Sequence, residues 1–281
     1  MLHLYDQPLI SPSLSPAIAY FYRFHTLEAH AEANFIHLPH HRNTINVFFE
    51  TKVDFLEGGR WIRTHEAASP IMVVSNNRRL FRFARIQGKI NGYGIVFHPL
   101  GINRFTKKIL GQIPIEAELK TDDLLPGLFD IDPQLHPKTW NNDLEALLLE
   151  KFTLPNWGNL PSVVAYILEH SGDVQVAELA DHFFINRRTL LRQFKKYLGC
   201  SVEQFKSVVR FRRAVDTFKQ NGQKPSLTDL AHLSHYYDQS DFIHQFKLMA
   251  GGVPGKVLPD IQTVGNQDLY WLFPKSDKLS Q

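Results

Sequence analysis

The sequence predicts an α+β fold: a β-rich N-terminal half, then an all-α domain of two helix-turn-helix units joined by a long helix. Three observations predict it. Residues 176–257 carry one pattern twice: Leu179-Ala180 leads to Phe194 and Gly199, and Leu230-Ala231 leads to Phe246 and Gly251, with one extra residue in the second turn. The first hundred residues hold β-branched and aromatic runs at regular intervals, separated by Gly and Asn, as in a sandwich or barrel. The basic excess is local: residues 161–257 hold 13 Lys+Arg against 9 Asp+Glu, whereas residues 1–160 hold 16 of each.

Composition bounds the class. A chain of 281 residues with 43% hydrophobic and 21% charged residues fits one or two globular domains. Its single cysteine, Cys200, excludes an intrachain disulfide. No apolar run has the length of a membrane span, and the N-terminus lacks the basic, apolar and small-residue segments of a secretory leader. A cytoplasmic protein without membrane contact is expected.

The N-terminal half opens with Pro8, Pro12 and Pro16 and an aromatic run, Tyr20-Phe21-Tyr22-Arg23-Phe24. Strands are expected at 44–49 and 71–74, in the run 80–86 and at 93–99, with a strand-turn-strand at 55–62. A short helix is expected at 105–113. His37, His40 and His41 cluster around Pro39, but no carboxylate follows at the spacing of a barrel-mouth metal site. They read as surface or turn histidines, and His98 as a strand-end histidine. There is no Gly-x-Ser-x-Gly nucleophile turn, Gly-x-Gly-x-x-Gly fingerprint or phosphate loop. Neither catalytic residues nor a cofactor nor a metal is therefore expected. The competing reading is a cupin-like small-molecule-binding or metalloenzyme domain with the helical half as an accessory.

A connector helix is expected after Pro137. Trp140, Leu144, Leu147, Leu148 and Phe152 fall on one face. That face serves either its own domain or a homodimer. Pro155 and Gly158 end the helix, and Pro161 opens the next, expected at 162–170.

In the first repeat, Val176, Leu179, Ala180 and Phe183 mark a short helix, Phe184-Ile185 a turn, and Asn186 the N-cap of the second helix. Leu190 and Phe194 point inward there, leaving Arg188, Arg192 and Lys195 or Lys196 outside. Gly199 supplies a left-handed stop. The second helix of such a unit enters the major groove, where Arg holds guanine O6 and N7. A long helix at 202–219 carries more than one apolar face, with Arg210, Arg212 and Arg213 as its polar residues and Asn221-Gly222 as its end. Ser226 and Asp229 make a capping-box-like start to the second repeat. Asp238 caps its second helix, with Asp241 at N3. The outer positions there are Gln239, Ser240, Asp241 and His244, without Arg and with an acid, so weaker base reading is expected. Gln239 remains suited to adenine and Ser240 to a phosphate.

The segment from Glu178 to Pro254 resembles the DNA-binding domain of the AraC/XylS family of bacterial transcription regulators. The resemblance is carried by Leu179-Ala180, Leu190-x-Arg192-x-Phe194-Lys195, Gly199-x-Ser201 and Arg210-x-x-x-Ala214. The longest stretch is Tyr236-Tyr237-Asp238-Gln239-Ser240-Asp241-Phe242-x-x-Gln245-Phe246-Lys247-x-x-x-Gly251-x-x-Pro254. Val96-Phe97-x-Pro99-Leu100-Gly101 more weakly resembles the family's sensor domains. The resemblance implies two units inserted into successive major grooves on one DNA face. It places Asn186, Arg187, Arg188, Thr189, Leu191, Arg192, Lys195 and Lys196 at the first groove. Gln239, Ser240, Asp241, His244 and Lys247 fall at the second. Three departures stand out: His235 replaces the usual turn glycine, Val202 the proline after Ser201, and His244 a frequent arginine.

The expected organisation is a β-rich effector or oligomerisation domain at 1–158, a DNA-binding domain at 159–257 and a tail at 258–281. The tail's Tyr270-Trp271-Leu272-Phe273 must dock on this chain or on a partner. The expected function is a sequence-specific regulator, an activator rather than an enzyme. Double-stranded DNA is its expected partner; RNA polymerase, a small-molecule effector and a second copy of the chain are further candidates.

Overall fold

The computed structural model describes residues 2–28, 31–56, 61–66, 70–75, 81–107, 118–119, 124–220, 224–264 and 269–273. The described residues form two sheets and a helical domain. In the first sheet the strands run β1 (Leu2–Gln7), β2 (Ile18–Thr26), β9 (Asn91–Phe97), β4 (Asn43–Phe49), β7 (Ile71–Ser75) and β10 (Glu118–Leu119). In the second they run β11 (Ile261–Val264), β12 (Leu269–Leu272), β3 (Glu32–His37), β8 (Arg82–Gln87), β6 (Trp61–Glu66) and β5 (Thr51–Leu56). Pairing is antiparallel throughout the described ladders except between β6 and β8.

The aromatic run at 20–24 is explained by a sheet buried on both faces. Side chains alternate across a strand, so successive residues need opposite covers. Phe21, with Ile45, Val47, Tyr93 and Ile95, packs against the connector helix α1 (Pro137–Lys151). Tyr20, Tyr22 and Phe24 pack against Phe35, Ile86 and Trp271 of the second sheet. Trp140 on α1 is fully buried, edge-on to Phe21 and to Tyr93. Leu144 and Leu148 join it, so the connector's apolar face is consumed by its own β-rich half and is not open to a second copy. Glu145 of α1 accepts from the amides of Ile10 at 2.6 Å and Ser11 at 2.8 Å, and Asn141 donates to the Pro8 carbonyl at 2.9 Å. These bonds satisfy the proline-interrupted segment that cannot pair as a strand.

The helical half follows as α2 (Leu160–Glu169), α3 (Val176–His182), α4 (Arg187–Gln193), α5 (Val202–Gln220), α6 (Leu227–Leu233), α7 (Gln239–Ala250) and α8 (Pro254–Val257). The last turn of α4 loosens into a π-helical segment, Phe194–Leu198, before Gly199 turns left-handed at φ 67°. Gly251 ends α7 in the same way at φ 75°, and a Cβ there would sit 2.7 Å from the Phe81 ring. Helix α5 joins two cores. Val202, Phe205 and Val209 belong to the first unit's core; Val208, Phe211, Ala214 and Val215 belong to the second's. No helix among the described residues is long and apolar enough to cross a membrane.

Several expectations need correction. The run at 80–86 starts as a strand only at Arg82, with 76–80 outside the described residues. A 3-10 turn at Gly101–Arg104 closes with Phe105, and no helix has begun by Lys107; the rest of the helix expected at 105–113 lies outside the described residues, as do Asn221 and Gly222. Strands β1 and β3 went unanticipated because their half-polar residues lack a strong β signature. His37 is not a turn histidine: it ends β3, and burial, with the Arg82 guanidinium second, pushes its pKa down to about 4. His40 accepts from the Arg42 amide at 2.9 Å through Nδ1, so that nitrogen is already engaged. Among the described residues no three His, Cys, Asp or Glu converge as a metal set. Arg212, one of the polar residues of α5, is 2% exposed, with its guanidinium 4.2 Å from the Tyr270 ring centre. The tail docks on this chain: β12 pairs with β3 through Trp271–His37 and Leu272–Ile36, so the chain's end completes the second sheet.

The two helix-turn-helix turns have equivalent geometry. Phe184 and His235 each adopt positive φ, 52° and 59°, and the next amides, of Ile185 and Tyr236, donate to Ala180 and Ala231. Left-handed backbone costs a residue with a Cβ about 1–2 kcal/mol, part of which glycine returns as unfolded-state entropy. Phe184 is 96% exposed and packs on little. Phe184→Gly is therefore expected to stabilise the protein by about 0.5–1 kcal/mol, read as a higher midpoint in urea denaturation.

Candidate nucleic-acid interface

Each unit presents its second helix on a scaffold set by small and aromatic residues. Leu179, Ala180, Leu190 and Phe194 are buried in the first unit, and Leu230, Ala231, Phe242 and Phe246 in the second. Ala180 and Ala231 are both buried, so a larger side chain at either would have to displace its neighbours.

In the first unit the Asn186 side chain accepts from the Arg188 amide at 2.9 Å, fixing where α4 begins. From that cap, Arg188, Arg192 and Lys195 follow at helical spacing on one exposed face, with Arg187, Lys196 and the 46% exposed Leu191 beside them. Thr189 is half-buried at the edge. No acid stands in the first turn of α4, and among the described residues Arg187, Arg188, Arg192 and Lys195 make no ion pair. Lys196 lies over the Tyr197 ring at 4.8 Å. The Tyr197 carbonyl accepts from Asn103 of the β-rich half at 2.9 Å, and Arg104 covers Trp157 at 5.0 Å. The turn after β9, including the buried Leu100, thus props the first unit from behind.

The second unit differs. Asp238 caps α7 by accepting from the Asp241 amide at 2.8 Å, while the half-buried Asp241 carboxylate reaches back to the Tyr237 amide at 3.4 Å. Asp241 thus completes its own helix N-terminus, where backbone amides and the helix dipole favour an anion. The Gln239 side-chain carbonyl accepts from the Thr228 hydroxyl at 2.8 Å, which takes one of the two lone pairs of the oxygen that adenine recognition uses and fixes the direction of the amide. Ser240, His244 and Lys247 are exposed. The extra residue of the second turn is Tyr237, 90% exposed at the head of α7. It and Phe184 were missed as candidate contacts; the one-residue difference between the repeats was the available signal. His235, at the left-handed position, is held 3.0 Å from Asp173.

Two capped helices, each following a short helix and joined by one shared helix, define a tandem helix-turn-helix domain. Residues 179–259 match a family described as a helix-turn-helix domain. No curated protein sequence matches the chain. Among solved structures, the DNA-binding domain of AdpA, in complex with a target DNA, is 24% identical over 34% of this chain and 86% of its own, at a TM-score of 0.32. The C-terminal domain of AraT, a response regulator from Geobacillus stearothermophilus, is 22% identical over 34% of this chain and 80% of its own, at 0.32. ToxT from Vibrio cholerae is 12% identical over 92% of this chain and 97% of its own, at 0.43. At these identities and scores the likeness is distant, and no ligand or partner follows from it.

Proposed function

We propose that the chain is a sequence-specific transcription activator that inserts α4 and α7 into successive major grooves of duplex DNA, with α4 dominant. Residues 159–257 serve as the DNA-binding domain, and residues 1–158, with the docked tail, as the effector or assembly domain through which a small molecule, a second copy or RNA polymerase acts. The observation that carries this reading is the exposed face of α4: Arg188, Arg192 and Lys195 project from a helix start fixed by Asn186. Guanidinium groups there suit guanine edges, and Lys195 and Lys196 suit phosphates. Asn186, Arg187, Thr189 and Leu191 flank them, Leu191 being suited to a thymine methyl. On α7, Ser240, His244 and Lys247 make phosphate or weak base contacts, and Gln239 reads from the orientation that its bond with Thr228 sets.

Salt titration tests the reading. The logarithm of DNA affinity should fall linearly with the logarithm of salt concentration, since each neutralised phosphate releases counterions. Lys195→Gln and Lys196→Gln should each lower that slope by about one while weakening all sequences alike. A salt-independent affinity, or no preference among duplex sequences, would overturn the proposal.

A further inference from the structure

The two reading units share α5, and a second attachment joins them away from that helix. The His235 Nδ1 lies 3.0 Å from an Asp173 carboxylate oxygen. His235 sits in the turn of the second unit, and Asp173 in the loop that leads from α2 to α3 of the first. Each is anchored through its neighbour. Val174 is buried in the first unit's core and Tyr236 in the second's, where its ring meets Phe242 at 5.2 Å between centres. Helix α5 takes part through Arg210. Its guanidinium lies 5.5 Å from the Tyr236 ring centre and donates to the His235 carbonyl at 3.4 Å.

The backbone on both sides is fixed before the side chains meet. Ser171 and Gly172 end α2 at φ 53° and 79°, and the amides of Ser171, Gly172 and Asp173 donate to the carbonyls of Leu168, Ile167 and His170. Gly172 presses on α5: a Cβ there would stand 2.6 Å from the Lys206 carbonyl oxygen and 3.1 Å from the Arg210 side chain. In the second turn the amides of His235 and Tyr236 donate to the carbonyls of His232 and Ala231. A left-handed turn position asks for no side chain, since glycine holds it without strain. Here it carries an imidazole set against a carboxylate of the other unit. With His235 39% and Asp173 60% exposed, the pair adds little to overall stability. Its effect is on orientation: a contact off the axis of α5 opposes the rocking that two cores packed on one helix would otherwise allow.

We propose that Asp173, His235 and Arg210 clamp the second unit to the first, holding α4 and α7 at one separation before DNA arrives. They are positioning residues for the second reading helix, and their role rests on the reading of α4 and α7 as the helices that enter DNA. Helix α7 has few groups of its own to offer, since its Asp241 carboxylate reaches back to the Tyr237 amide. A linked module binds at an effective concentration set by how closely its position is defined, and an arrangement formed in advance spares the cost of ordering it on the ligand. The clamp supplies that definition, so the modest contacts of Ser240, His244 and Lys247 add to those of α4 on the same duplex.

Spin labels on Lys195→Cys and Lys247→Cys, exposed positions of the two reading helices, measure their separation in the free full chain, where Cys200 is buried. One narrow distance distribution is expected. Asp173→Ala and His235→Gly should each broaden it by about twofold, and the double variant no more than either alone, since both remove the same contact. His235→Asn should keep it narrow, because asparagine tolerates the left-handed turn and its amide can donate to Asp173. Fluorescence anisotropy on the unlabelled chain then compares a duplex spanning both grooves with one cut back to the first. The ratio of the two affinities should fall by about threefold or more in Asp173→Ala and in His235→Gly, with affinity for the short duplex unchanged. An unchanged distance distribution in folded Asp173→Ala and His235→Gly proteins would overturn the clamp. Broadening with an unchanged affinity ratio, or equal loss on both duplexes, would overturn its part in DNA binding. The distances are measured without DNA, so a chain that shows the broadening yet binds no duplex retains the clamp and loses only the DNA-binding reading.

Discussion

Arg192→Ala is expected to lower affinity for the specific site by about 1–3 kcal/mol, a factor of roughly 5 to 150, while nonspecific affinity falls far less. The asymmetry follows from position. Arg192 is exposed on α4, one turn beyond Arg188, whereas Leu190 and Phe194 are buried in the unit's core. Its removal therefore deletes a base contact without touching the Leu190–Phe194 core, and Tm should stay within a degree or two of wild type. His244→Ala on α7 should cost less than about 1 kcal/mol, since a neutral imidazole offers one donor where a guanidinium offers a fork. Fluorescence anisotropy with specific and scrambled duplexes, beside circular dichroism, checks both. A loss that is equal on both duplexes would assign Arg192 to the phosphate backbone.

Trp140→Ala is expected to destabilise the β-rich half by about 3–5 kcal/mol. The indole has no exposed surface, meets Phe21 and Tyr93 edge-on at 6.1 and 5.4 Å between ring centres, and lies beneath the Arg23 guanidinium at 5.6 Å. Truncation leaves a cavity the surrounding sheet cannot close, because Tyr93 is anchored by its hydroxyl donating to the Leu128 carbonyl. Burial, with the Asp130 carboxylate second, raises the Tyr93 pKa well above its ordinary value. Urea denaturation should show the fluorescence of this half lost at lower denaturant. A change below 1 kcal/mol would mean that α1 is not integral to the β-rich fold.

What was legible in the sequence is what is local. Asn186, Ser226 and Asp238 cap the helices their positions predict, because capping acts over two or three residues. The repeated Leu–Ala and Phe–Gly positions are buried or left-handed in both units. The docked tail was not legible, since β12 pairs with β3 across nearly the whole chain and no short-range pattern records such a partner. Arg212 escaped for a related reason. Its burial depends on Tyr270, a residue of that same distant strand. At the candidate interface, the exposed cations of α4 were readable from helical spacing alone. The engagement of Gln239 by Thr228, and of Asp241 by the Tyr237 amide, required the turn geometry between two helices. Both findings deepen the contrast between a cationic first unit and a second unit whose polar groups are partly spent on its own structure.

Selection of binding sites from randomised duplexes tests that contrast most directly, comparing the wild type with an Arg188→Ala/Arg192→Ala pair and a Gln239→Ala/His244→Ala pair. The first pair should erase preference over one contiguous half of the selected site, while the second should leave the selected sequence nearly unchanged with a modest loss of affinity. Equal loss from both pairs, or a greater loss from the α7 pair, would contradict the assignment of specificity to the first unit.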